Sequence, residues 1–230
     1  VPLVSKVCDI NMVKLATQII TSDLTKKQSP VSTLKERVFY HCGVKEAVFP
    51  FNMFQEVDPI LGPEMRSTGE VLGISKDFGE AFYKAQEATQ TKLPLEGTVL
   101  ISVNDHDKAE VVDVAKGFHE CGFQIVATGK TYDLIVSNGI PAEKVNKLYE
   151  GRPNITDLIK NKQIDMIINT PAGKQSVTDD SYIRKAAIKG KISYMTTMAA
   201  AKASVSGIKA AKEAKTIGIK SLQEFHSEIE

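Results

Sequence analysis

Apolar positions recur along this chain with two different rhythms, and the change between them divides it. In residues 9–21, Met12, Val13, Leu15, Ala16, Ile19 and Ile20 return about every 3.6 residues behind Asp9 as a cap, which predicts an amphipathic helix. Residues 22–36 are polar, contain Pro30 and read as a surface connection. Two β-rich runs follow, 37–42 and 44–51, with Gly43 between them. Asp58-Pro59 and Gly62-Pro63 mark turns in an irregular stretch, and 68–74 reads as a strand. Asp77 stands three residues before Glu80, a capping pattern. It opens a helix whose apolar face is Phe78, Phe82, Ala85 and Ala88. These elements do not alternate regularly and read as part of an α+β unit.

Residues 89–97 are polar, contain Pro94 and predict a boundary, so the chain divides into 1–93 and 94–230. Beyond it, apolar strands alternate with helices. The strands are 98–103, 123–128, 145–148, 164–169 and 192–195. The helices are 107–121, 130–138, 155–161, one capped by Asp179 or Asp180 that runs to Lys189, an alanine-rich one at 197–209, and a last one from Ser221 with Glu224 completing a capping box. Near-continuous apolar strands between helices predict an α/β fold, a doubly wound parallel sheet covered on both faces.

Composition and charge narrow the function. The 230 residues carry a net charge of +1, which supplies no strong field for nucleic acid or an anionic membrane. No apolar run is long enough to span a bilayer. The start, Val1-Pro-Leu-Val-Ser-Lys6, has neither an initiator Met nor a signal-peptide layout, and reads as the middle of a longer protein. Cys8, Cys42 and Cys121 are unclustered, which suits a reducing cytoplasm. His41, His106, His119 and His226 are scattered without ligand spacing, so no metal site is expected. No Ser/His/Asp arrangement with a nucleophile elbow appears.

The candidate chemistry lies at the carboxyl ends of the strands, where sheets of this kind bind ligands. The central stretch is Phe123-Gln-Ile-Val-Ala-Thr-Gly-Lys-Thr-Tyr132. A strand ends in Thr128, Gly129 turns the chain, and a helix begins. Its free N–H groups and its dipole both favour an anion. The other strand ends contribute Ser102, Asn104, Asp105 and Lys108, then Lys147, then Asn169 and Thr170, then Tyr194 and Thr196. Three lysines, Lys108, Lys130 and Lys147, converge with these hydroxyls on one rim, which predicts an anion site.

These residues resemble a known family. Asp58-Pro-Ile-Leu-Gly-Pro-Glu-Met-Arg-Ser-Thr-Gly-Glu-Val71 is similar to the signature near the end of the second ATP-grasp half of the carbamoyl-phosphate synthase large subunit. Ala127-Thr-Gly-Lys-Thr131, Val145-Asn-Lys147, Glu150-Gly-Arg-Pro153 and Ile167-Ile-Asn-Thr170 resemble its C-terminal allosteric domain, of methylglyoxal-synthase-like fold. The resemblance implies a regulatory domain that binds nucleotide monophosphates such as UMP or IMP. Ser102, Lys108, Thr128, Gly129, Thr131, Lys147, Asn169 and Thr170 match the effector-contacting positions, and Glu46, Tyr194 and Thr196 match an ornithine site. Pro171 stands where the family carries a threonine, and Met195 where it carries an acidic or polar residue.

The resemblance also implies a ligase parent that makes carbamoyl phosphate from glutamine or ammonia, bicarbonate and ATP for pyrimidine and arginine biosynthesis. That parent would use ATP, Mg2+ or Mn2+, and K+. Its partners would be the rest of the large subunit, a glutaminase small subunit and further copies of itself. It implies no catalytic residues and no metal in this chain. Two alternatives are a ligand-free interaction domain and a methylglyoxal synthase. The second family places a catalytic Asp in a Gly-Gly-Asp turn and a His in a later segment. Here the turn is Glu150-Gly-Arg-Pro153, and 174–180 contains no His.

Overall fold

The computed structural model describes residues 2–22, 29–49, 69–89, 92–170, 174–214 and 218–230. Residues 50–68, which hold most of the 58–71 motif, and Pro171 lie outside the described residues.

The chain opens with α1 (Pro2–Val7) and α2 (Met12–Thr21). The helix α2 begins later than its apolar period predicts. Asp9 takes a φ of 51°, and Asn11 is the cap instead, its side chain accepting from the Lys14 N–H at 2.9 Å. A 3-10 turn at Pro30–Thr33 follows. Strand β1 (Cys42–Val48) runs through Gly43 and pairs antiparallel with β2 (Gly69–Ser75), Cys42 opposite Ser75. Gly43 is no break because Val7 packs over it: a Cβ there would lie 2.3 Å from the Val7 Cγ2. The run 37–42 is not a separate strand. Val38 instead exchanges backbone hydrogen bonds with Glu230, at 2.8 and 3.3 Å.

Helix α3 (Phe78–Ala88) starts at Asp77, whose carboxylate accepts from the Glu80 N–H at 2.9 Å. Its buried face is Gly79, Ala81, Phe82, Tyr83, Ala85 and Gln86. The predicted face was shifted: Phe78 is half exposed and Ala88 is exposed. The reason is that α3 is covered from two sides, by the β1–β2 ribbon and by a helix from the far end of the chain.

The second part is built on β3 (Thr98–Val103), α4 (Lys108–Glu120), β4 (Gln124–Thr128), α5 (Gly129–Ser137), β5 (Glu143–Val145), α6 (Ile155–Lys160), β6 (Met166–Thr170), α7 (Lys174–Gly190), β7 (Ser193–Met195), α8 (Met198–Glu213) and α9 (Leu222–His226). The five strands pair in parallel in the order β5-β4-β3-β6-β7. Alternate residues feed two cores, as a pleated strand requires. Val99 and Ile101 join Val111, Phe118, Ala127, Ile168 and Ile208 on one face. Leu100 joins Val126, Ile155, Ile159, Ile167 and Ile183 on the other. Full burial of such side chains contributes about 1.5–3 kcal/mol each.

Three expected boundaries move. Strand β5 ends at Val145, not 148, because the chain turns at Lys147, whose N–H donates to the Glu150 Oε2 at 2.9 Å. Helix α7 begins at Lys174, so Asp179 and Asp180 lie inside it rather than capping it. Helix α8 runs past Lys209 to Glu213, bonded at its C-terminus from the Ala214 N–H to the Ala210 carbonyl.

The two parts are in close contact. Helix α3 crosses α8 so tightly that a Cβ on Gly79 would lie 2.5 Å from the Ser206 carbonyl oxygen. The C-terminal segment then returns to the first part. The Lys84 Nζ donates to the Gly218 carbonyl at 2.9 Å, and Phe225 is buried with its ring 5.4 Å from that of His41, edge to face. Among the described residues no helix is long and apolar enough to cross a membrane.

Candidate effector-binding cleft

Strands β3 and β6 are sheet neighbours, but the chain leaves them toward opposite edges of the sheet. The crevice outside their carboxyl ends is the topological switch point, where such sheets bind ligands. A cavity of about 600 Å³ opens there. Ser102, Lys108, Thr128, Gly129, Thr131, Lys147, Asn169 and Thr170 all line it, so the structure brings together the eight positions singled out in the sequence.

The helix α5 supplies one wall. Thr128 is its N-cap residue but makes no side-chain cap bond. Its hydroxyl donates instead to the Ser102 Oγ at 2.9 Å, which ties β4 to β3. Gly129 adopts a φ of 42°, in the left-handed region that favours glycine, and a Cβ there would meet nothing within 4 Å. The first-turn N–H groups of α5 are thus left without a side-chain acceptor beside open space. The Thr131 Oγ1 is buried and stands 3.4 Å from both the backbone N and the O of Val103, a loose pair of contacts.

The lysines are less free than their spacing implies. Lys108, at the first position of α4, forms an ion pair with Asp105. The Lys108 ammonium is the main cause that holds the Asp105 carboxyl below the usual carboxylate range; Lys130 and His106 add to it. The loop between β3 and α4 is pinned by Asn104. Its Nδ2 donates to the Asp107 Oδ2 at 2.7 Å and to the Thr170 carbonyl at 3.2 Å, and its Oδ1 accepts from the His106 N–H at 2.8 Å. Lys130 is exposed at the mouth. The Lys147 Nζ lies 6.0 Å from the centroid of the Tyr149 ring.

The floor holds a buried polar cluster. The Asn169 Nδ2 donates to the Asp180 Oδ1 and to the Tyr194 hydroxyl, both at 2.8 Å. The Tyr194 hydroxyl in turn donates to the Asp180 Oδ1. The Arg184 Nη2 bonds the Asp180 Oδ2 at 2.5 Å. Burial, and then the hydrogen bond to Asp180, push the Tyr194 phenol well above its ordinary range. Sequence reasoning missed Asp180 and Arg184 because Asp180 reads as a helix cap. Their spacing of four on a helix was the available signal.

The three residues matched to an ornithine site do not line this cleft. Glu46 lies on β1, where burial raises its carboxyl pKa against a hydrogen bond from Gln86. Tyr194 turns its hydroxyl to the cleft floor, and Thr196 is exposed after β7. Among the described residues no group of His, Cys, Asp and Glu side chains is arranged to hold a metal ion.

Comparison with known proteins fits this architecture. Residues 110–196 match the model of the MGS-like domain. A carbamoyl phosphate synthase large chain from Archaeoglobus fulgidus is 47% identical over 229 residues, covering 99% of this chain and 21% of that relative. One from Methanosarcina barkeri is 40% identical over 230 residues, 100% of this chain and 57% of the relative. The C-terminal section of the large chain from Aquifex aeolicus is 42% identical over 246 residues, 99% of this chain and 45% of the relative. The chain therefore spans from a fifth to somewhat over half the length of these curated relatives. Among solved structures, a methylglyoxal synthase from Elizabethkingia anophelis superposes with a TM-score of 0.40 at 21% identity, over 49% of this chain and 79% of that one. The chain belongs with the C-terminal region of the carbamoyl phosphate synthase large chains and carries an MGS-like domain.

Proposed function

We propose that this chain is a regulatory region that binds a nucleotide monophosphate, UMP or IMP, in the cleft at the switch point. One observation carries the reading: the uncapped first turn of α5 shares a single cavity with Lys108, Lys147 and Asn169. The N–H groups of residues 129–131 and the α5 dipole receive the phosphate, a dianion in most of its population near neutral pH. Lys108 and Lys147 neutralise it, and Thr131 donates its hydroxyl. Asn169 is fixed by Asp180 and Tyr194, which leaves it oriented toward the sugar or base. Thr170, Ser102 and Thr128 hold the strand ends in register.

The whole protein, in this reading, ligates bicarbonate and ammonia to carbamoyl phosphate at the expense of ATP in the cytoplasm. ATP, Mg2+ or Mn2+, K+ and a glutaminase small subunit then belong to that larger assembly, and the effector adjusts its output for pyrimidine and arginine biosynthesis. Ornithine is a second effector candidate, through Glu46, Tyr194 and Thr196. We place the division between the two units at residues 93 and 94. Calorimetric titration of the chain with UMP, IMP and ornithine tests the reading.

A further inference from the structure

Asp105 stands between the candidate site and its cation. It lines the same cavity as Lys108 and Lys130, and it forms an ion pair with Lys108. We propose that Asp105 competes with the ligand's phosphate for the Lys108 ammonium and so sets the affinity of the cleft. The inference rests on the anion-binding reading above and adds a residue to it that works against binding.

Four observations support it. The loop that carries Asp105 is pinned through Asn104 to Thr170, so Asp105 stays at the rim and only its side chain is free to turn away. The neighbouring carboxylate, Asp107, is already engaged by the Asn104 amide at 2.7 Å, which leaves Asp105 as the one that faces the cations. The two partners differ in exposure: the Asp105 side chain is 77% exposed and that of Lys108 21%. Releasing Asp105 to water is therefore cheap, while Lys108 stays in the cleft. Lastly, Lys130 and His106 also act on the Asp105 carboxylate, so its charge reduces the positive field of the whole rim and not of one lysine alone.

An ion pair this exposed opposes binding only modestly. In the Asp105→Asn chain, UMP and inorganic phosphate are expected to bind about two- to fivefold tighter, with a steeper loss of affinity as salt rises. Asp105→Ala should do the same, which assigns the effect to the lost charge. Lys108→Ala should cost more in the Asp105→Asn background than in the native one, because Asp105, its ion-pair partner among the described residues, then no longer competes with the ligand. Native binding with unchanged affinity in both Asp105 variants overturns the inference. So does weaker binding, which would make Asp105 a ligand contact. If neither nucleotide nor phosphate binds native or variant chains, the anion-binding reading beneath it falls and this inference with it.

Discussion

Asn169 and Asp180 share a buried hydrogen bond at the floor of the cleft: the Asn169 Nδ2 donates to the Asp180 Oδ1 at 2.8 Å, and the two residues are 7% and 4% exposed. One comes from the end of β6 and the other from the second turn of α7. The Asp180 charge is tolerated there because Arg184, Tyr194 and Asn169 all donate to it.

Removing that carboxylate strands the Arg184 guanidinium, whose Nε already lacks a partner. Asp180→Ala is expected to destabilise the chain by about 3–5 kcal/mol, read as a fall in urea midpoint, and Asp180→Asn by less. Nucleotide affinity should fall in the Asn variant as well, since Asn169 loses its strongest acceptor. An unchanged midpoint in Asp180→Ala would show that the cluster does not support the fold.

The raised Tyr194 pKa gives a pH dependence with a definite sign. An unfolded tyrosine loses its proton near about pH 10, whereas the folded Tyr194 keeps it. Its contribution is therefore complete below about pH 10 and declines as pH rises from there toward the folded pKa. Denaturant melts between about pH 8 and 11 should show the native chain losing more stability than Tyr194→Phe. Parallel pH profiles for the two would contradict the burial of the phenol.

The contact of α3 with α8 bears on the proposed division. Limited proteolysis is expected to cut within residues 89–97 and leave a C-terminal piece of about 130 residues. The two pieces should then co-elute on gel filtration, because Phe82 and Tyr83 lie in the same buried cluster as Ile208 of α8. Rapid digestion of the C-terminal piece would argue against a unit that begins near residue 94. Separation of intact pieces would argue against the helix crossing.

The likeness to methylglyoxal synthases drawn from the sequence implies a catalytic Asp in the turn that here reads Glu150-Gly-Arg-Pro153; this turn has none, and the Arg152 guanidinium lies 3.7 Å from the Asp157 carboxylate. The chain is expected to release no phosphate from dihydroxyacetone phosphate above buffer. It should also make no carbamoyl phosphate when assayed alone. Turnover in either assay would replace the regulatory reading with a catalytic one.

The parallel sheet was legible because four of its strands, β3, β4, β6 and β7, read as largely apolar runs bounded by polar or glycine turns. By contrast β5, Glu143-Lys144-Val145, has two exposed charged residues and shares only Val145 with the expected 145–148. The α5 wall was legible because Thr128-Gly129-Lys130 joins a strand end to a helix start. What escaped was set by contacts distant in sequence. Gly43 sits within a strand because Val7 packs over it. Gly79 belongs to a buried face because α8 crosses it. Asp180 resembles a cap until Asn169 and Tyr194, from two other strands, close on it. Lys108 looks like a free cation until the β3–α4 loop folds Asp105 onto it.

The central claim is that the cleft binds a nucleotide monophosphate through its phosphate, and isothermal titration of native, Lys147→Ala and Lys162→Ala chains with UMP and IMP tests it most directly. Lys162 lies just ahead of β6, at the opposite end of the sheet, and serves as the control. A charge-assisted contact to phosphate is expected to contribute about 1.5–3 kcal/mol, so Lys147→Ala should weaken binding about 10- to 100-fold while Lys162→Ala matches the native chain. No heat with either nucleotide, or equal losses in the two variants, would contradict the placement of the site.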